Sequence, residues 1–539
     1  MKDQDSQSVS YDEIIAELNI SKATIRNWLK LGHFVACGKN KIERRGYVNF
    51  CRDVIGTQKL AARANKTQHR NANVPNFILP AWEVLIAMPE AELGQLAQDY
   101  EASLSQKHRN IKGVYYTPPD IAREMFSNAV ETAGKTFLDP CCGTGNFLLA
   151  ALDAGFAPAD VYGFDIDENA ILLAKARIYK KTKRAPKNIQ HTDYLQSTHE
   201  MQLKADYIFT NPPWGAKLPI EIKGRLTKAL DLPKTADTSA IFTAVIIGGL
   251  KQGGIAGLLL PDAFFNISAF AEIRRKILRH KIVSIKDYGR AFSGLLTKAQ
   301  AIIIANEVPN SDTRISCEFT GKNYKRKQCD FANNPNQIFN FYCNGLDAEI
   351  IAHLYKQPHK TTKNNAKWAL GIVTGDNKRH ILKQPKAGAI PIFKGNDITP
   401  NGLKQPSNWI VPNFEKFQQT APQTLYDAPE KIVYRFISSN LCFGYDDAQR
   451  LFLNSANILI PDPKLGISAA NLTKLLNTNL LNWLFTKIFN TPKVLRGDLE
   501  TLPLFVEQFE AAGFEENEAF YKGLGVRADG NGGYERAIK

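Results

Sequence analysis

The chain opens on two short apolar-periodic stretches. Tyr11 to Leu18 sets Ile14, Ile15 and Leu18 on one side, the spacing of an amphipathic helix. Asn19-Ile20-Ser21 reads as a tight turn, with Ser21 suited to N-cap a second helix from Lys22 to Lys30, whose Ile25, Trp28 and Leu29 face inward. Two short helices joined in this way predict a helix-turn-helix over residues 1–60. Residues 61–110 mix a polar stretch (RANKTQHRNANVPN) with a helical one (EVLIAMPEAELGQLAQDYEASL). They read as a linker followed by one or two helices, without evident chemistry.

The pattern then changes period. Between 111 and 335, KTFLDP, DVYGFDID, ADYIFTNPPW, GIAGLLLP, IVSIKDYG and QAIIIANE read as strands, and PDIAREMFSNAV, GNFLLAALDAG, ENAILLAKARIYK, TSAIFTAVIIGGL and FAEIRRKIL as helices. That alternation predicts an α/β domain with a mostly parallel sheet and helices on both faces. Residues 336–510 are rich in Asn, Lys and Pro, with short strands and a late helical pattern (AANLTKLLNTNLLNWLFTKIF), and read as a separate α+β domain. Residues 511–539, ending RADGNGGYERAIK, are expected to form a flexible tail.

Composition narrows the function. Lys and Arg number 68 against 53 Asp and Glu, a formal charge of +15, which points to a polyanionic partner, most simply nucleic acid. The eight cysteines form no C-x-x-C pair, so the thiols are expected to be reduced, with no disulfide framework and no metal site. No apolar run reaches the roughly 18 residues of a membrane span, and the N-terminus has no apolar signal core. A cytoplasmic protein is therefore expected.

Three features carry chemistry. Asp139-Pro140-Cys141-Cys142-Gly143-Thr144-Gly145-Asn146-Phe147 follows an apolar strand and opens an apolar helix, where glycines permit a tight turn and close approach of a ligand. Leu148 stands where a third glycine would complete a dinucleotide fingerprint, which weakens a nicotinamide reading. Asp165, in GFDIDENA, suits a ribose diol, and Asp193, in HTDYL, could accept from an adenine amine with Tyr194 beside the ring. Any βαβ enzyme can place single acids at strand ends; together these describe a nucleoside-shaped pocket. The sharpest signal is Asn211-Pro212-Pro213-Trp214 after the strand ADYIFT. Two prolines stiffen the corner and remove two N–H donors, leaving the Asn211 side-chain carbonyl and the Pro212 backbone carbonyl as acceptors for the two hydrogens of an exocyclic amine. Trp214 offers a face for stacking a base. The bland alternative is a Pro-rich turn with a core Trp.

The series GVYYTPPDIA, DPCCGTGNF, GFDID, HTDYL and TNPPWG resembles the S-adenosylmethionine-dependent amino-methyltransferases that modify DNA adenine at N6. The motif order resembles their gamma group, of TaqI type, found in type II restriction-modification systems. LGIVTGDNKRHI near 370–381 and TPKVLRGDLETLPLF at 491–505 look like elements of TaqI-type target-recognition domains. The resemblance implies a Rossmann-like methyltransferase sheet at 111–335 and a target-recognition domain at 336–510. It also implies double-stranded DNA as substrate, functional pairing with a restriction endonuclease, and a monomer. By the same resemblance Thr117 and Pro118 border the cofactor, and Asp139, Cys141, Gly143 and Gly145 line its methionine end. Asp165 and Ile166 hold ribose and adenine, Asp193 and Tyr194 the adenine edge. Phe292 matches the aromatic that stacks on the target base opposite Trp214; its other reading is core packing. The expected mechanism flips the adenine out of the duplex and methylates N6 in line, with no covalent enzyme intermediate.

Two departures stand out. Trp214 replaces the commoner Tyr, and the N-terminal region is short for the nuclease domain that several relatives carry. Cys141 follows Pro140, but it lies inside the glycine turn and not in the separate downstream Pro-Cys loop of a cytosine-C5 methyltransferase. SKATIRNWLKLGHF resembles the recognition half of excisionase- and MerR-type DNA-binding domains, which implies Lys22, Thr24, Arg26 and Asn27 as groove contacts. A helical hairpin capping another domain is the alternative. The basic run Arg274-Arg275-Lys276 fits either phosphate contact or a solvated helix face. Rival functions are a bifunctional restriction enzyme and methyltransferase, an RNA or protein-glutamine methyltransferase, and a transcription factor with a degenerate enzyme domain.

Overall fold

The computed structural model describes residues 8–18, 25, 28–29, 35–38, 40–50, 77–104, 113–128, 131–196, 203–292 and 297–537. The chain divides into two compact units, Met1–Val74 and Pro75–Lys539. In the first, the helix Tyr11–Leu18 accompanies a three-stranded antiparallel sheet of Ser8–Ser10, Lys41–Glu43 and Ala36–Gly38, with Lys41–Glu43 in the middle. Val9, Tyr11, Ile14, Ile25, Trp28, Ile42 and Tyr47 share its core, so the expected inward residues Ile14, Ile25 and Trp28 are brought together. Lys22, Thr24, Arg26 and Asn27, and the turn before them, lie outside the described residues.

The second unit is organised by one large sheet. Its strands are β1 (Phe137–Asp139), β2 (Val161–Asp165), β3 (Ile189–His191), β4 (Ala205–Thr210), β5 (Leu250–Pro261), β6 (Lys281–Gly289), β7 (Ala299–Ala305), β8 (Arg314–Phe319) and β9 (Lys322–Lys327). They lie in the order β9-β8-β6-β7-β5-β4-β1-β2-β3. The segment β5-β4-β1-β2-β3 is parallel throughout, and β7 runs antiparallel between β5 and β6. Strands buried on both faces read as continuous apolar runs, which is why FLD in β1 and AQAIIIA in β7 are wholly buried.

The predicted helices flank this sheet as α1 (Pro119–Met125), α2 (Asn146–Asp153), α3 (Glu168–Thr182), α4 (Thr238–Gly249) and α5 (Ala271–Ile277). Apolar clusters of buried side chains line both sheet faces. From β1 the chain winds outward to β2 and β3, then returns to lay β4 on the other side of β1. Strand order therefore reverses between β1 and β4, and open α/β sheets bind ligands at the carboxyl ends of such strands. Asp139 ends β1, and Asn211 follows β4 directly.

The C-terminal part is α+β. One four-stranded sheet holds Ala366–Leu370, Ala456–Pro461, Lys431–Arg435 and Phe443–Asp446 in that order; a second joins Ile381–Leu382, Trp409–Ile410, Ile390–Phe393 and Leu451–Phe452. The late helical pattern forms two helices, Ala469–Leu476 and Asn479–Phe489, because Thr478 N-caps the second through the backbone N–H of Leu481. Residues 511–537 are folded, which corrects the expectation of a flexible tail there. The helix Glu518–Gly523 and the hairpin Val526–Ala528/Tyr534–Arg536 bury Phe520, Leu524 and Val526 in the same apolar core as Leu480 and Trp483. No helix among the described residues is long and apolar enough to cross a membrane.

Candidate active site

The glycine turn joins β1 to α2. Gly143 (φ +51°) and Gly145 (φ +92°) both adopt the left-handed region that favours glycine. At Gly143 the space is also filled: an added Cβ would lie 2.7 Å from the Tyr116 ring. The turn is tied to the sheet by Asp165, whose Oδ2 accepts from the Gly143 backbone N–H (2.8 Å) and whose Oδ1 accepts from that of Asp167 (2.9 Å).

An extended strap at residues 113–117 lies across this turn and the Asn-Pro-Pro-Trp corner. Its alternate carbonyls are all taken. Gly113 O accepts from the Trp214 backbone N–H (3.1 Å), Tyr115 O from Asn211 Nδ2 (2.6 Å), and Thr117 O from Asn146 Nδ2 (2.8 Å). Gly113 is required, because a Cβ there would lie 2.4 Å from Trp214 O.

Strap, turn and corner enclose a cavity of about 410 Å³. Of the residues expected to hold cofactor, Thr117, Asp139, Cys141, Gly143, Asp165, Ile166, Asp193 and Tyr194 line it, together with Asn211 and Pro213 from the corner. Pro118 and Gly145 do not; they start α1 and α2 and shape the wall from behind. Pro212 and Trp214 are buried beside the cavity and not on its surface. Leu195, Gln196 and Leu218 also line it. Leu195 closes the HTDYL motif with no role assigned to it, and no sequence signal marked Gln196 or Leu218, which are ordinary residues after strand ends.

Electrostatics favour an electron-poor guest. Burial pushes the Asp139 carboxyl up to about 7 and that of Asp165 up to about 6. Asp139 Oδ1 accepts from the Cys141 backbone N–H (3.0 Å), and the buried Thr210 hydroxyl beside the carboxyl also favours its charged form. A buried carboxylate that lines a cavity favours a donor or a positive charge from a ligand. Burial, then the Asp139 carboxylate, push the Cys141 thiol well up, so it is no thiolate nucleophile. S-adenosylmethionine fits this set: a cationic group for Asp139, a ribose diol for the Asp165 oxygens, and an apolar adenine for Ile166, which is exposed at the rim.

The aromatic pair departs from expectation. Trp214 and Phe292 were expected as two walls with a base between them. Instead their rings meet edge-to-face, with centroids 5.4 Å apart and planes at 79°, and Tyr115 packs on both, at 5.9 Å and 5.6 Å. Both are nearly buried, and the indole Nε1 donates to Leu259 O (3.3 Å). A sandwiched base needs parallel rings two stacking distances apart; these are nearly perpendicular and touching. In this structure the slot is closed by mutual packing of three apolar rings.

Arg274 is a second correction. It is fully buried, and its guanidinium donates to the carbonyls of Phe264 (2.6 Å), Asn336 (2.9 Å) and Gln337 (3.0 Å). It is a structural pin and cannot touch phosphate. Arg275 is half-exposed and paired with Glu272. The helix face buries one arginine and exposes the next, which the run of charges alone does not reveal.

Comparison with known proteins agrees with the fold. A family profile described as N-6 DNA Methylase matches residues 94–316, and one described as TaqI-like C-terminal specificity domain matches 390–504. The chain is 40% identical over 402 residues to the type II methyltransferase M.VspI of Vibrio sp. (strain 343), covering 74% of this chain and 98% of that one. It is 23% identical over 372 residues to the type II methyltransferase M.TthHB8I of Thermus thermophilus, covering 65% and 80%. The fold is also that of the type IIL restriction-modification enzyme MmeI, solved in complex with DNA, at a TM-score of 0.51 and 13% identity over 77% of this chain and 70% of that one.

Proposed function

Because the chain belongs to the DNA methyltransferases of restriction-modification systems, with an N-6 DNA methylase domain, a TaqI-like specificity domain and S-adenosylmethionine as cofactor, we propose that it methylates N6 of an adenine flipped out of a short double-stranded site. Residues 111–335 carry the chemistry and 336–510 read the site. Such marking protects DNA in the same cytoplasm from a cognate endonuclease, and the enzyme acts as a monomer.

The observation that carries transfer to an exocyclic amine is the Asn211 amide, and the N-6 DNA Methylase profile favours adenine over cytosine as the base that bears it. Its Nδ2 is committed to Tyr115 O, which leaves Oδ1 as the free acceptor at a cavity-lining position. Pro212 and Pro213 supply no N–H to compete for it. Two acceptors and no donor suit an exocyclic NH₂ and repel a ring carbonyl at the same place. S-adenosylmethionine supplies an electrophilic methyl group when bound. An aromatic amine is a poor nucleophile because its lone pair delocalises into the ring. Hydrogen bonds from its two hydrogens to Asn211 Oδ1 and, once the aromatic set beside it has opened, to the now-buried Pro212 O pyramidalise the nitrogen and direct its lone pair into the cavity. Asp139 and Asp165 fix the cofactor, so positioning supplies much of the acceleration. Asn211 accepts hydrogen bonds throughout and takes no proton; the surplus proton on the methylated amine is lost to solvent.

Base entry requires the closed aromatic set to open. Phe292 turning away from the indole frees a face of Trp214, and stacking there offsets part of the few kcal/mol that unstacking the adenine costs. Sequencing for modified bases in DNA from cells that express the chain tests the proposal. N6-methyladenine at one recurrent site is the expected result; N4-methylcytosine, or no modified base, overturns it.

A further inference from the structure

One helix outside the sheet reaches the cofactor site twice. The helix Glu90–Ser103 lies in the stretch that shows no chemistry as sequence. Its Leu93, Ala97 and Tyr100, spaced four and three residues apart, pack on Ala170, Leu173 and Ala176 of α3. The small alanines at both edges of that contact let the two helices approach closely. Two adjacent side chains then extend past the contact in different directions.

Tyr100 points one way. Its ring is buried and its hydroxyl donates to Asp167 Oδ2 (2.6 Å). Burial, then this bond, push the phenol far above its ordinary range, so it stays a donor. Asp167 uses its other oxygen to cap α3 through the N–H groups of Asn169 and Ala170, and its own backbone N–H donates to Asp165 Oδ1. Tyr100 thus sits two bonds behind the cavity-lining acid Asp165.

Glu101 points the other way. Its Oε1 accepts from Thr144 Oγ1 (2.6 Å), inside the glycine turn. Thr144 O accepts from Arg177 Nη1 (2.7 Å), and the same nitrogen donates to Asn146 Oδ1 (2.9 Å), whose Nδ2 holds Thr117 O. Glu101 therefore sits at the far end of a polar chain through the turn to the strap.

We propose that Tyr100 and Glu101 are positioning residues for the cofactor: the helix Glu90–Ser103 clamps the acid Asp165 and the glycine turn from behind, so that both are set before S-adenosylmethionine arrives. This rests on the reading that Asp165 and the turn hold that cofactor. Neither residue lines the cavity, so each acts only through its neighbour.

The test uses the full chain and equilibrium titration with S-adenosylmethionine and S-adenosylhomocysteine, without DNA. Tyr100→Phe keeps the ring in its core and Glu101→Ala removes the acceptor. Each is expected to raise Kd for both ligands about tenfold, to raise KM for cofactor alike, and to leave kcat at saturation within about twofold. Glu101→Gln, which still accepts from Thr144, is expected to restore wild-type binding. Asp165→Ala is the reference. If it loses binding while Tyr100→Phe and Glu101→Ala bind as wild type, the clamp is overturned and the site stands. If Asp165→Ala itself binds as wild type, the site reading fails and the Tyr100 arm falls with it. A drop in melting temperature and DNA affinity that Glu101→Gln does not rescue reduces the helix to a structural element and overturns the proposal.

Discussion

Asn211 Nδ2 donates to the backbone carbonyl of Tyr115 at 2.6 Å, and this bond decides which end of the amide faces the cavity. A carbonyl can only accept, so the nitrogen must lie toward the strap and the oxygen away from it. The strap that borders the cofactor thereby also orients the acceptor for the substrate amine.

Asn211→Ala removes that acceptor and the tie to Tyr115 together. Loss of a preorganised hydrogen-bonding group at the reacting atom lowers kcat by about 10²–10³-fold in comparable sites. Cofactor and DNA affinities are expected to stay within a few fold, measured by titration and by duplex binding. Asn211→Asp is expected to be no better, because a carboxylate oxygen would then face Tyr115 O. Wild-type turnover in either variant removes Asn211 from the mechanism.

Cofactor affinity is expected to weaken as pH falls from about 8 to about 5.5. Burial raises Asp139 to about 7 and Asp165 to about 6, both above the ordinary carboxyl value. Both are protonated at the acid end, where Asp139 loses its charge for a cation and Asp165 becomes a poorer acceptor. A ligand that prefers the carboxylates releases protons on binding, so the heat of binding near pH 6.5 should change with the ionisation enthalpy of the buffer. Asp139→Asn should flatten that dependence. The stability sign is opposite: raised carboxyls bind more protons folded than unfolded, so the ligand-free protein loses stability as pH rises from about 4 through about 7. A pH-independent Kd over this range would show that neither acid faces the ligand.

Phe292→Leu separates stacking from packing. If Phe292 turns to stack on the target base, the variant loses about 1–3 kcal/mol of transition-state binding, a fall of about 5- to 150-fold in kcat/KM for DNA, with little change in cofactor affinity. A 2-aminopurine at the target position should brighten on binding to the wild type and respond less in the variant. If Phe292 only covers the indole, as its edge-to-face contact with Trp214 alone would allow, melting temperature falls and kcat/KM for DNA does not.

The central sheet is legible in the sequence because its strands are short, apolar and punctuated by motifs. β1 ends on the Asp139 turn, β2 on Asp165 and β4 on Asn211. The cavity follows from the same punctuation, since a parallel sheet gathers its strand ends along one edge. What the sequence hides is contact between distant residues. Tyr100 reaches Asp167 across 67 positions and Glu101 reaches Thr144 across 43, and no local period encodes either. The β8–β9 hairpin is hidden by its own charge: KNYKRK reads as a basic run for phosphate contact or a solvated face, yet it pairs along its whole length with β8. The closed aromatic set was also out of reach, because a motif specifies which rings are present and not how they rest against one another.

Arg274 yields the last prediction. A run of three bases invites removal of charge as a test for DNA contact, but the first of them donates to three main-chain carbonyls with no exposure. Burial lowers its affinity for a proton to about 9, still high enough to keep it charged at neutral pH, and the charge of Asp498 supports it. Removing one partner of a buried network leaves the others unpaired, at a cost of about 3–5 kcal/mol. Arg274→Ala is therefore expected to lower the unfolding midpoint sharply. The folded fraction should keep the wild-type slope of log affinity against log salt, since no phosphate contact is lost. Arg275→Ala, at the half-exposed Glu272 pair, is expected to change stability by no more than about 1 kcal/mol. Denaturant unfolding and duplex titrations at several salt concentrations check both variants. A reduced salt slope with unchanged stability in Arg274→Ala would place that guanidinium on the DNA and not in the core.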